Sequence, residues 1–238
     1  MTVDLFDPSL DLTLAPAPAT PTLASWTSPR VPSWPVSVKA DQIEPWDLFT
    51  REWPHERYFG AFEPTDARPT SAALREQTIA PRVVLLVVDL EAPDDADRAE
   101  WNQIARERAT RLVGEPFGFL TKRGARLVWR LPQAIEVQSL DAARRFGSWY
   151  RRTLIAIAAT TGLVGDLACA DPLRLHRAPH TRREGERSSD ALGWLCGHPV
   201  DVGELRPFEV SHDKCRAALD TLCEKYPQWR RAFTRRVA

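Results

Sequence analysis

Lysine is scarce in this 238-residue chain: it supplies four of the 32 basic residues (Lys39, Lys122, Lys214, Lys225), and arginine supplies the rest. Arginine offers a flat fork of donors suited to phosphate and carboxylate, but a GC-rich genome gives the same bias, so the excess alone assigns nothing. A surplus of either charge is missing too, because 32 Lys+Arg balance 32 Asp+Glu. That excludes a general basic coating of nucleic acid and leaves any polyanion contact to local clusters. Four cysteines, at 169, 196, 215 and 223, are too few for a disulfide scaffold. The opening MTVDLFDPSL lacks a basic stretch followed by an apolar run, so no signal peptide is expected. No apolar run reaches the ~18 residues of a membrane span, so the chain reads as cytoplasmic with no membrane partner.

What is present suffices for a core. Hydrophobic residues make up 43% and charged residues 27%, close to the globular average. Residues 1–37 carry prolines at 8, 16, 18, 21, 29, 32 and 35 among Ala, Thr and Ser, and read as a disordered tail. Trp26 and Trp34 are unexpected there and are candidates to dock on the domain or on a partner. A domain over 38–210 and a C-terminal helical extension over 211–238 follow.

Six consecutive apolar, mostly β-branched residues, Val83 to Val88, predict a strand buried on both faces. A second strand is expected at Tyr58 to Phe62, a helix over Asp94 to Leu112, and a strand pair, Phe117 to Leu120 and Ala125 to Leu131, around a turn at Thr121 to Gly124. Helices over Leu140 to Thr161 and Lys214 to Lys225 complete the reading. The fold class is α+β, with a mixed or antiparallel sheet covered by helices on one face. No G-x-G-x-x-G or G-x-x-x-x-G-K-[ST] follows a strand, which leaves a dinucleotide fold and a P-loop motor without support.

Three segments can carry chemistry. In Val87-Val88-Asp89-Leu90-Glu91 the alternation of a strand points Asp89 and Glu91 the same way and turns Leu90 inward. Two carboxylates at the end of a buried strand repel each other unless a cation compensates, and hard ions such as Mg²⁺ take carboxylate oxygens. The plainer reading is a solvated strand end. Lys122, Arg123 and Arg126 crowd the following turn, either to reach phosphate oxygens across Gly124 or as a basic tip in solvent. The third segment runs from Gly165-Asp166 past Asp171 to Arg174-Leu-His176-Arg177-Ala-Pro179, with surface ion pairs to Glu184 and Glu186 as its plainer reading.

In this order the segments resemble archaeo-eukaryotic-type primases, most closely the primase-polymerases of plasmids, phages and mobile elements. Asp89-Leu90-Glu91 is similar to the first motif and Gly165-Asp166 to the third, with Arg174 and Arg177 beyond it. Tyr58-Phe59-Gly60 and Arg174-Leu-His-Arg-Ala-Pro179 also fit, and the likeness spans about residues 46 to 210. The second motif departs: Arg126 stands where the family usually has histidine. The resemblance implies a primase-polymerase-like catalytic core in which Asp89, Glu91 and Asp166 (or Asp171 in its place) hold two Mg²⁺ or Mn²⁺ ions roughly 3.5–4 Å apart for in-line phosphoryl displacement. Lys122, Arg126, Arg174 and Arg177 would bind the incoming nucleoside triphosphate. Arg144, Arg145, Arg151 and Arg152 would meet the phosphates of a single-stranded DNA template, and a separate replicative helicase is an expected partner.

The expected activity is therefore metal-dependent nucleotidyl transfer, primer synthesis or DNA extension on a single-stranded template. Arg126 motivates an alternative of another class, a non-catalytic single-stranded nucleic-acid-binding or replication-initiation module. A metal-dependent nuclease shares the acidic site but lacks a Glu-x-Lys on a later strand. Cys196-x-His198 and His212-x-x-Cys215 carry zinc-type ligands. Their spacing is irregular and Pro199 follows the first pair, so zinc ranks below the reading of small core cysteines.

Overall fold

The computed structural model describes residues 12–18, 22–27, 41–54, 57–65, 69–181, 193–198 and 202–234. In chain order the elements are β1 (Thr13–Pro16), β2 (Leu23–Thr27), β3 (Asp41–Ile43), α1 (Pro45–Thr50), β4 (Arg57–Gly60), α2 (Ser71–Arg75), β5 (Arg82–Glu91) and α3 (Arg98–Ala109). Then come β6 (Phe117–Leu120), β7 (Gly124–Glu136), α4 (Leu140–Thr161), a 3-10 turn at Leu167–Ala170, β8 (Leu175–Arg177), β9 (Trp194–Cys196), α5 (His212–Lys225) and α6 (Pro227–Thr234).

The strand of consecutive apolar residues is the heart of the molecule: Val83 to Val88 are each at most 3% exposed. β5 pairs antiparallel with β7, whose other edge takes β1 at one end and β6 at the other, with β9 beyond β6. β7 outruns its expected end at Leu131 because it carries a bulge. Val83 faces Ile135 while Leu85 faces Arg130, so extra residues of β7, Pro132 among them, sit where the ladder is broken and no proline N–H is missed. The class is α+β as expected, but the described strands form two sheets, and every named pairing is antiparallel. The second sheet has the order β3-β2-β4-β8.

Two of these strands correct the tail. β1 pairs with Gln133–Glu136 of β7, and β2 lies between β3 and β4 in the second sheet, with Leu23 and Ala24 wholly buried. Arg57 donates to Ser25 Oγ over 2.7 Å inside that sheet. Proline at the end of an edge strand costs no ladder bond, and Pro16 sits there. Composition reads low burial capacity in such a stretch but cannot see partners supplied by strands far along the chain. Residues 1–11, 19–21 and 28–37 lie outside the described residues.

Helix α4 has the bounds its period predicts. Ser139 Oγ accepts from Ala142 N at its start, and Gly162 closes it with φ +71°. Its buried face includes Phe146, Tyr150, Leu154 and Ile157, and the Tyr150 hydroxyl donates to Val87 O over 2.9 Å, pinning the helix to β5. α5 packs on α4, and Leu222 and Trp229 join the same hydrophobic core, so the C-terminal helices are integral to it.

Candidate functional site

The site begins where β5 leaves the core. Leu90 is 2% exposed while Asp89 and Glu91 face a cavity of about 740 Å³, within the ~300–1,000 Å³ of small-molecule sites. Beyond α4 the chain returns along this strand end: Glu91 N donates to Val164 O over 3.0 Å, and Asp166 N donates to Asp89 O over 2.8 Å. That short antiparallel bridge, centred on Leu90 and Gly165, brings Asp166 into the cavity wall beside Asp89 and Glu91. Asp171 does not line the cavity; its Oδ1 accepts from Leu173 N and shapes the loop before β8.

Opposite the acids stand the cations. Lys122 and Arg123 of the β6–β7 turn, Arg126 of β7, Arg174 just before β8 and Arg177 at its end all line the cavity. Gly124 belongs to this turn for another reason than ligand approach. A Cβ there would lie 1.7 Å from the backbone oxygen of Leu90, so glycine lets β7 cross tightly against β5. The turn is held by Thr121 N donating to Gly124 O and Gly124 N donating to Thr121 Oγ1.

Arg126 is the main surprise. It lies directly across the ladder from Asp89 and grips it bidentately, Nε to Oδ1 over 3.1 Å and Nη2 to Oδ2 over 2.8 Å. Its Nη1 donates to Arg177 O over 2.6 Å. Both partners are largely enclosed (side-chain exposures 13% and 16%), so the pair is not a screened surface contact. In this state Arg126 is committed to the acidic cluster rather than extended toward a phosphate. Arg174 approaches Asp166 Oδ2 at 3.3 Å, and Asp166 Oδ1 caps the 3-10 turn by accepting from Ala168 N. Arg177 donates to the Tyr58 hydroxyl over 2.9 Å and lies over its ring.

Glu91 has no ion pair among the described residues. Desolvation by the cavity walls, then the negative charges of Asp166, Asp89 and Asp94, push its carboxyl above the ordinary glutamate range, with Arg174 opposing. A carboxylate raised in the folded state adds stability below its unfolded pKa and loses it as pH rises through the folded value. Glu91→Gln should therefore raise the melting temperature at neutral pH by about 1–3 °C in chelator. The gain should vanish in acid, where both side chains are neutral; an equal gain at all pH values would contradict this assignment.

The arginines expected to meet a template lie elsewhere. Arg144 and Arg145 are exposed on α4, Arg144 pairing with Asp141 over 2.6 Å, and Arg151 and Arg152 are half-buried; none lines the cavity. The zinc-type ligands at Cys196, His198, His212 and Cys215 do not form a cluster. Cys196 donates to Pro116 O, and burial pushes its thiol up to about 12. Among the described residues, the group of three such ligand atoms within 4.8 Å of one another is Asp89, Cys169 and His176. Sequence reasoning passed over Cys169 and His176 because residues seven apart across a turn show no recognisable ligand spacing. Arg183, Glu184, Glu186 and the rest of the arginine-rich stretch after Thr181 lie outside the described residues. No protein-family model, no curated protein and no solved structure matches this chain, so the site stands on its own geometry.

Proposed function

We propose that the protein is a metal-dependent nucleotidyltransferase that makes primers or extends DNA on a single-stranded template, resembling the primase-polymerases of plasmids, phages and mobile elements. One observation carries the reading: three carboxylates from two distant chain segments and five cations from three others share one cavity. A divalent ion and a triphosphate need that pairing of oxygen ligands and phosphate-binding donors.

Asp89, Glu91 and Asp166 present hard oxygen donors, a set that fits Mg²⁺ or Mn²⁺. Ions bound there would activate the attacking 3′-hydroxyl and neutralise the leaving pyrophosphate. The chain's own residues do the positioning. β5 and the returning 164–166 segment fix the acids through backbone bonds, so little reorganisation is needed when charge develops. Lys122 and Arg123 line the cavity from the turn, and Tyr58 holds Arg177 at the cavity edge. Arg126 neutralises Asp89, and it would be free to serve as a phosphate ligand where a metal ion held Asp89 instead. The exposed arginines of α4 are assigned to template phosphates, with binding that weakens as salt rises.

The test is incorporation of labelled nucleotides on a single-stranded template with Mg²⁺ or Mn²⁺. Lys122→Ala should raise the nucleotide KM about tenfold and change kcat less. The absence of product with either ion and any nucleotide would end the enzyme reading. The bidentate hold of Arg126 on both Asp89 oxygens favours one second reading, a binding module that needs no metal. Salt-dependent single-strand binding without synthesis, unchanged by loss of all three carboxylates, would establish it.

A further inference from the structure

We infer that Asp89, Cys169 and His176 form a site for a borderline-soft divalent metal of the zinc type, under the cavity floor, sharing Asp89 with the oxygen donors proposed for Mg²⁺ or Mn²⁺ and differing from them in its sulfur and imidazole ligands. Their ligand atoms all lie within 4.8 Å of one another. Zinc bonds of about 2.0–2.3 Å put tetrahedral ligand atoms roughly 3.3–3.8 Å apart, so closure needs the ligand atoms to draw together by up to about 1.5 Å.

A second observation points to a ligand. His176 is 4% exposed, and its Nδ1 is buried without a hydrogen-bond partner. A buried imidazole nitrogen left bare carries a desolvation cost that a metal bond removes. Cys169 is 3% exposed, and the Tyr150 hydroxyl is already committed to Val87 O. Neither Cys169 nor His176 lines the cavity.

The ligand set chooses the metal. Sulfur and imidazole select zinc-type ions over Mg²⁺, which demands oxygen. Arg126 uses one lone pair on each Asp89 oxygen, and each oxygen retains another. Binding forms the metal–sulfur bond in place of the Cys169 S–H bond, the proton leaving to solvent. The resulting thiolate, with Asp89, balances the ion's two charges close to Arg126 and Arg174.

The site also has an architectural place. Asp89 comes from β5 of the first sheet, His176 from β8 of the second, and Cys169 from the 3-10 turn between α4 and β8. An ion there would join the two sheets where β5 presents Asp89 to the cavity, making Cys169 and His176 positioning residues for it.

The test uses the full chain stripped with chelator and titrated with Co²⁺ as a spectroscopic stand-in for zinc. One Co²⁺ per chain should bind, with tetrahedral ligand-field bands and a thiolate-to-cobalt band that Zn²⁺ displaces and excess Mg²⁺ does not. Cys169→Ser should abolish the thiolate band and weaken Co²⁺ binding at least about tenfold, His176→Ala should weaken it similarly, and Cys196→Ser should leave it intact. A wild-type chain without the thiolate band, or a band that persists in Cys169→Ser, overturns the proposal. Should the Cys169 variant fail to fold, X-ray absorption of the zinc-loaded wild type decides: one sulfur neighbour with imidazole supports the site, and a shell of light atoms only refutes it. Metal binding with this signature in a chain that incorporates no nucleotide would sink the proposed activity and leave this site standing.

Discussion

Asp89→Asn and Glu91→Gln should each lower metal-dependent nucleotide incorporation at least ~100-fold while the chain stays folded. Each substitution keeps the shape of the side chain and removes the charge that would hold a divalent ion, and losing a preorganised electrostatic contact in a closed site costs about 10²–10³ in rate. The measurement is single-turnover incorporation in Mn²⁺, with a thermal melt of each variant. Glu91→Gln is the more telling of the two, because the same change should raise stability in chelator. Crowded by Asp166 and Asp89, the ionised Glu91 is a burden to the folded state without a cation. Loss of activity together with gain of stability is what a functional acidic cluster produces. Loss of both would mark Glu91 as structural, and retention of activity would remove it from chemistry.

Deleting residues 1–37 should prevent stable folding. The proline-rich composition argues that this segment is dispensable, but β2 is an inner strand of the second sheet. Its removal strips β3 of its partner and β4 of one of its two, together with the buried Leu23 and Ala24. Burial of one leucine alone contributes about 1.5–3 kcal/mol, and the orphaned ladder bonds of β4 add to that. Against a typical total of about 5–15 kcal/mol, the shortened chain should lose its cooperative melt or melt at least ~10 °C lower. Deleting only residues 1–11 spares β1 and β2 and is the control. A 38–238 chain that melts like the full one would show that the second sheet stands without β2.

The contrast between these segments explains what the sequence made legible. Val83 to Val88 announces itself because six apolar, largely β-branched residues fit only a strand covered on both faces. α4 is marked by its 3.6-residue period, by Ser139 before it and by Gly162 after it. Such signals are local. β1 and β2 have none: their partners lie as far off as Glu136 and Phe59, so the information that orders them is held elsewhere in the chain. The same division runs through the site. The shared direction of Asp89 and Glu91 follows from strand alternation, and Asp166 was reached through the resemblance of an ordered motif set. The partner of Arg126 could not be read, because cross-strand opposition of Asp89 and Arg126 exists only once the register of β5 on β7 is set. Gly124 was read as an opening for ligand and proves to be an opening for the Leu90 carbonyl.

Asp166 decides the matter most directly, since it alone joins the acidic pair from a distant part of the chain. Asp166→Asn keeps an oxygen able to cap Ala168 N and removes the charge together with the Arg174 contact at Oδ2. Labelled nucleotide incorporation on a single-stranded template in Mn²⁺, compared across wild type, Asp166→Asn and Asp171→Asn, should show product from wild type and Asp171→Asn and at least ~100-fold less from Asp166→Asn. Equal rates for Asp166→Asn and wild type, or no product from the wild-type chain at all, would contradict a catalytic metal site built on these three carboxylates.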